Sequence, residues 1–366
     1  MRTFEMEAGS KYTRRLPPGC KLCRRGAKLV LLVTGRCESG CFYCPLSERK
    51  RGKEQIYADE LACKDDHDVL LEARLIKAKG TGITGGDPLD ALDRVIHHIH
   101  LLKQAFGPEH HIHLYTATID REAYLQLQKA GLDELRVHPP LRLWQRMTCS
   151  GLEEAVEGLD MEVGIEIPSI PGEEEATEAL VRFADRIGLD FVNLNELEFS
   201  ETNYEALRKR GFVTKGDVSA SAQGSEELAL RMLALDVKVP VHYCSSSFKD
   251  SVQLRNRLRR RAKSIARPGD VMTQEGTLVK GVIEGTDLAE AERLLRQTYH
   301  VPTDLIHLDH EKERLEVAPW VLQELSPLLP FDSYIVEEYP TADRLEVERE
   351  KLDRAGAGGK KRDEKR

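Results

Sequence analysis

Three of the eight cysteines, Cys37, Cys41 and Cys44, fall in the stretch CESGCFYC, between the apolar run KLVLLVTGR and the polar loop PLSERKRGKEQ. Thiolates are soft ligands for zinc and for iron–sulfur clusters, and closed sites of both kinds ordinarily take four protein ligands. Three on one loop imply a metal site with a position left open. The alternative is a closed zinc or redox site with Cys63 as fourth ligand, which would explain neither the apolar run before the loop nor the glycine turn that follows. Cys20 and Cys23 form a second, shorter pair in PPGCKLC. Two thiols cannot close a metal site, so an auxiliary site there would have to recruit Cys244 or Cys149. Cys244 could instead be a thiol facing a lumen.

The second chemical signal is TGITGGDPL, residues 81–89. Gly80, Gly82 and Gly85 match G-x-G-x-x-G, but a dinucleotide site needs a strand before the first glycine and a helix at the last. A helical pattern precedes Gly80 instead, so that reading fails. What remains is Gly85-Gly86-Asp87 at the end of a strand, where the glycines allow positive φ and close backbone approach. Asp87 supplies a carboxylate at the mouth of the fold. Two HHIH stretches add histidines: His97 and His100 share a helix face, and His111 and His113 share a strand face. No carboxylate spacing accompanies either, so satisfied or exposed histidines are expected rather than a metal site.

The elements that must position these residues alternate regularly. Strands are expected at 28–34, 81–84, 110–116, 133–138, 161–167 and 190–196. Helical patterns occupy 67–80 (with Gly80 as C-cap), 88–107, 120–131, 141–158 and 172–188. Six such units imply a parallel sheet with right-handed crossovers, either open or closed. Strands buried between two helical layers should be apolar on both faces. Here Glu134, Arg136 and His138, then Glu162 and Glu166, then Asn193 and Asn195 repeat on one face. That face should line a polar lumen, so the fold class is α/β, a partial barrel. A seventh strand at 237–243 leads into a basic helix at 249–268. The expected domains are a lead-in at 1–27, the barrel with its basic helix at 28–268, a small α+β unit at 270–340 and a disordered tail at 350–366.

Charged residues make up 32% of the chain and the net charge is −8, which argues against a wholly basic nucleic-acid binder but leaves room for a local basic surface. The helix at 249–268, with Arg255, Arg257, Arg259, Arg260, Arg261, Lys263 and Arg267, is that surface: either a solvated face paired with acids or a phosphate contact for RNA or a phosphorylated substrate. No stretch has the order of a signal peptide and none is apolar enough to span a membrane. A cytoplasmic protein is expected, with thiols used as ligands rather than disulfides.

The CxxxCxxC loop after the first strand, with an aromatic before its last cysteine, followed by the Gly-Gly-acid-Pro turn after the second strand, resembles the radical S-adenosylmethionine enzymes. The nearest likeness is to the pyruvate formate-lyase activating type, over residues 28–245. The resemblance implies a partial (β/α)6 TIM-like barrel. It implies a 4Fe-4S cluster on Cys37, Cys41 and Cys44, with S-adenosylmethionine on the fourth iron. Reduction by a ferredoxin or flavodoxin would release a 5′-deoxyadenosyl radical that abstracts hydrogen from a substrate, RNA or protein. Tyr43 would contact the adenine, and Gly85, Gly86 and Asp87 would meet the cofactor's amino group. Arg136, His138, Glu166, Asn193 and Asn195 are candidate lumen contacts. In HLYTATID, residues 113–120, Thr116 fits the activating-enzyme pattern but Ala117 stands where Asn is common, so no substrate role is carried over there. The alternative class is a non-catalytic, metal-stabilised nucleic-acid-binding protein.

Overall fold

The computed structural model describes residues 2–217 and 219–353. The chain divides into two compact units at Arg257/Leu258, inside the basic helix.

The first unit is built on an eleven-stranded sheet. The lead-in at 1–27 has regular structure of its own. It forms β1 (Thr3–Glu5), β2 (Lys11–Thr13) and helix α1 (Pro18–Arg24). Then come β3 (Lys28–Leu32), the short β4 (Tyr57–Ala58) and β5 (Leu61–Ala62), α2 (Asp66–Leu75) and β6 (Gly80–Thr84). Helix α3 (Leu92–Phe106), β7 (His111–Thr116), α4 (Arg121–Ala130) and β8 (Glu134–Val137) follow. The series continues with α5 (Leu152–Val156), β9 (Glu162–Ser169), α6 (Glu174–Arg186) and β10 (Phe191–Glu196). It ends with α7 (Tyr204–Lys209), α8 (Ser225–Leu233) and β11 (Val241–Cys244). Strands β3, β6, β7, β8, β9, β10 and β11 are parallel neighbours in that order. Strand β2 closes on β11 antiparallel, so the lead-in extends the sheet past its seventh parallel strand.

Helix α2 stops five residues short of Gly80. Lys77 takes the left-handed conformation at φ 51°. Ala78 N–H then bonds to the Ala73 carbonyl at 2.8 Å and Lys77 N–H to Arg74 at 2.9 Å, a Schellman closure made without glycine. Gly80 is free to open β6. The apolar side of the barrel packs one continuous core that includes Leu29, Ile83, Leu114, Val137, Ile165 and Leu194. The alternate residues of β8 to β11 face the other way, as the sequence pattern requires.

The second unit carries an antiparallel sheet, β12 (Val271–Met272), β13 (Leu278–Ile283), β14 (Ile306–Asp309), β15 (Arg314–Val317), β16 (Ser333–Glu338) and β17 (Glu346–Lys351). Its alternation is strict: Leu315 and Val317 join an apolar cluster with Ile283, Leu295 and Leu322. On the other face Lys280, Arg314, Glu316 and Glu338 form a buried ion network, with Arg314 Nη2 at 2.6 Å from Glu316 and 2.7 Å from Glu338. Strand β17 takes up residues 350 and 351 of the segment expected to be disordered; 354–366 lie outside the described residues.

Candidate functional site

The cysteine loop is tied at both ends. Gly35 N–H donates to the Lys53 carbonyl at 2.7 Å, and Gly52 N–H to the Gly35 carbonyl at 2.8 Å. A Cβ on Gly35 would overlap the Lys50 carbonyl oxygen, so only glycine lets the two ends meet. No motif or spacing in the sequence marks Gly35. The glycine turn after β6 lies flat on the same segment: Gly86 N–H donates to Thr34 at 2.8 Å and Asp87 N–H to Arg36 at 2.7 Å. Neither Gly85 nor Gly86 uses positive φ. Their role is the close approach alone, because a Cβ on Gly85 would meet the Thr34 oxygen and one on Gly86 the Arg36 oxygen.

A cavity of about 720 Å³ opens over this junction. Cys37, Cys41 and Cys44 line it together with Tyr43, Gly86, Thr116, His138, Glu166 and Asn195. Cys37 is exposed, and Cys41 and Cys44 are half-buried. Ser39 N–H points at the Cys37 sulfur at 3.4 Å. Among the described residues the three thiols do not converge on one point as the ligands of a single ion would, and Cys63 does not join them. Cys63 is buried in the apolar core, with its thiol on the Leu61 carbonyl at 3.5 Å. The four-cysteine zinc site is therefore not formed. Cys20, Cys23 and Cys244 likewise make no three-ligand group.

The residues between β10 and α7, unread in the sequence, hold the loop from above. Asn203, buried, donates to the Tyr43 carbonyl at 3.0 Å and to the Glu198 carbonyl at 2.9 Å. Tyr43 Oη and His138 Nε2 share a hydrogen bond at 3.0 Å. Burial pushes the Tyr43 phenol up and the His138 imidazole down, so both stay neutral at pH 7. Lys249 pairs with Glu198 at the cavity wall.

Asp87 is placed differently from expectation. It is 3% exposed, and its carboxylate faces the end of β7. It accepts from Thr116 Oγ1 at 2.6 Å, Ala117 N–H at 3.0 Å, Thr118 N–H at 3.1 Å and Thr118 Oγ1 at 2.9 Å, and it caps Leu89 N–H at 3.1 Å. Its oxygens are occupied by the protein, while Thr116 and Ala117, which it holds, line the cavity.

Below the cavity the lumen is filled by charge. Arg136, 2% exposed, donates to Glu134 at 2.6 Å through Nε and to Glu166 at 2.5 Å through Nη1. Glu166 also accepts from Asn193 and Asn195, both at 2.8 Å. Burial alone would raise both carboxylates, but Arg136 outweighs it and holds each below the ordinary range. Register explains the cluster: Tyr115 pairs with Arg136 and Glu166 with Asn193 across neighbouring strands. Helix α1 closes the floor, where Gly19 N–H donates to Glu134 at 2.9 Å and Cys20 accepts from Arg136 and Asn193, both at 3.4 Å. Burial pushes the Cys20 thiol well up, so it is an inert floor group. Of the five expected lumen residues, His138, Glu166 and Asn195 reach the cavity, and Arg136 and Asn193 stand behind them.

The basic helix does not present a free phosphate-binding row. Arg257 is paired with Asp59 at 2.6 Å and with Glu60. Arg261 is buried and donates to the Pro340 carbonyl.

Residues 31–139 match the radical SAM superfamily, and 276–352 match a domain of unknown function (DUF8061). A protein of Methanocaldococcus jannaschii, provisionally named a glycyl-radical enzyme activating enzyme, is 39% identical over 354 residues, covering 92% of each chain. The chain belongs to the radical S-adenosylmethionine superfamily. Its match to that relative runs through both units. Among solved structures, Streptococcus suis SuiB bound to S-adenosylmethionine overlaps 62% of this chain and 53% of its own at 14% identity and a TM-score of 0.38. Methylornithine synthase (PylB) overlaps 59% and 69% at 14% identity, also with a TM-score of 0.38. As a radical S-adenosylmethionine enzyme the protein works with that cofactor and an iron–sulfur cluster. No helix among the described residues is long and apolar enough to cross a membrane.

Proposed function

We propose that Cys37, Cys41 and Cys44 hold three irons of a 4Fe-4S cluster at the cavity mouth, leaving the fourth iron to S-adenosylmethionine. The observation that carries this is the presence of three thiols, without a fourth, in the lining of one cavity that Gly86 of the glycine turn also lines. Its volume suits a ligand of that size. When bound, the cluster and cofactor supply one-electron cleavage of the sulfonium to a 5′-deoxyadenosyl radical.

The chain's own part is orientation. Gly86 offers backbone to the cofactor at a place no side chain could enter, and Tyr43, fixed by His138, borders the same space. Gly85 lets the turn close on Thr34. Asp87 acts as a positioning residue through Thr116–Thr118 rather than as a direct ligand of the ammonium group. The carboxylate of Glu166, anchored by Arg136, Asn193 and Asn195, faces the substrate side as a fixed acceptor. The substrate is a polypeptide, a reading supported by the name of the Methanocaldococcus relative and by the internal engagement of the arginines that RNA would have needed. A ferredoxin or flavodoxin supplies the electron.

Electron paramagnetic resonance of the anaerobically reconstituted, reduced protein tests the open iron. Adding S-adenosylmethionine should change the cluster spectrum; an unchanged spectrum would mean that the cofactor does not reach the cluster.

A further inference from the structure

The segment after β10 meets the cysteine loop at a further point, the ring of Phe42. Helix α7 ends at Lys209, and Gly211 takes the left-handed region at φ 83°. Phe212 N–H then bonds to the Leu207 carbonyl at 3.2 Å and Gly211 N–H to the Arg208 carbonyl at 3.0 Å. These are the paired bonds of a Schellman end, anchored on a core leucine. The closure brings the residues on either side of Gly211 onto one ring. The Arg210 guanidinium lies 4.2 Å from the centre of Phe42. Phe212 stacks on the same ring, with planes 7° apart and centres at 6.2 Å. Arg210 Nη1 also donates to the Ala206 carbonyl at 3.1 Å, which fixes the cation in place. A guanidinium over a ring face and a stacked ring pair both attract.

On the loop side, Cys44 N–H donates to the Cys41 carbonyl at 3.1 Å. Cys41 to Cys44 is therefore a single tight turn with Phe42 and Tyr43 as its two central residues. The ties at Gly35 and Gly52 close the ends of the loop and leave this turn, in its middle, to be held by side chains. Tyr43 is held by His138 and, through its carbonyl, by Asn203. We propose that Arg210 and Phe212 are positioning residues that hold the other half of the turn. They act through Phe42 and so fix Cys41 and Cys44, the two half-buried thiols, relative to one another. Their value to the reaction rests on the reading that the three cysteines hold a cluster, since thiols that drift apart cannot keep their irons.

Hydrogen exchange over residues 38–46, read by mass spectrometry before reconstitution, reports the grip without iron. Arg210→Ala and Phe212→Ala should each speed exchange there by about threefold or more, with the urea midpoint of the whole protein unchanged. In a Phe42→Leu background Arg210→Ala should add nothing, because the ring it acts through is gone. After reconstitution both single variants should lose iron to a chelator faster than wild type by a similar factor. Unchanged exchange in both variants, or an Arg210→Ala effect that persists in full beside Phe42→Leu, would overturn the assignment. A wild type that takes up no iron would instead sink the cluster reading, and the exchange result would still decide the grip.

Discussion

Among single residues, Asp87 is held by the densest set of hydrogen bonds at the edge of the cavity. Its position in Gly-Gly-Asp-Pro suggested a cofactor ligand, yet its carboxylate spends both oxygens on Thr116, Ala117, Thr118 and Leu89. Hydrogen bonds to a buried charged acceptor contribute about 1.5–3 kcal/mol each, and they are not additive. Asp87→Ala should therefore lower stability by about 3 kcal/mol or more and loosen the wall formed by Thr116 and Ala117. Chemical denaturation of the purified variant measures this. A variant as stable as wild type that loses only S-adenosylmethionine affinity would return Asp87 to the role of direct ligand. Tyr43 and Gly86 line the cavity, and the sequence suggested them as cofactor neighbours only through the family resemblance. The orientation of Asp87 was not legible, because its partners lie about thirty residues away on a different strand.

At the scale of elements, the lumen of β8 to β11 was readable from strict alternation, since a period of two puts Glu134 and Arg136 on one face whatever their neighbours. Which residues would reach the cavity was not readable. That depends on strand stagger and on α1, whose seven residues plug the floor although their sequence carries no apolar period. The end of α2 escaped notice for a related reason: Lys77 took a conformation usually left to glycine, so the glycine signal at Gly80 misled. Arg136 is the hub of the floor. Removing one member of a buried ion cluster typically costs about 3–5 kcal/mol, because the remaining charges lose their partner. Arg136→Met, which takes from the buried Glu134 and Glu166 the guanidinium they share, should destabilise the first unit by that order. A triple variant that also replaces both glutamates with Gln should recover much of the loss. If Arg136→Met costs less than about 1 kcal/mol, the network is not what holds α1 on the barrel.

At the scale of the whole molecule, buried histidines set the response to acid. Burial holds His110 and His242 at about 4, against 6.5 when unfolded, and His113 well below 6.5. Between those values the unfolded chain binds protons that the folded chain refuses. The stabilisation is thus complete above pH 6.5 and is lost as pH falls toward 4, by up to about 3 kcal/mol for each such group. Asp59, pushed up to about 7 by burial against the pull of Arg257, works in the opposite direction over 7 to 3.8. Several histidines oppose one aspartate, so net stability should fall between pH 6.5 and 5. Urea unfolding at the two values should show it, with a shallower loss in His242→Gln. Stability that rises on acidification would mean Asp59 dominates.

A cluster held by three cysteines, and not four, should support S-adenosylmethionine cleavage. This is tested most directly by the 5′-deoxyadenosine formed when anaerobically reconstituted protein is reduced in the presence of S-adenosylmethionine. The wild type and Cys63→Ala should both produce it, and Cys37→Ala, Cys41→Ala and Cys44→Ala should each fall to background. Product from any of those three variants, or its loss in Cys63→Ala with the fold intact, would rule out a cluster held by these three cysteines.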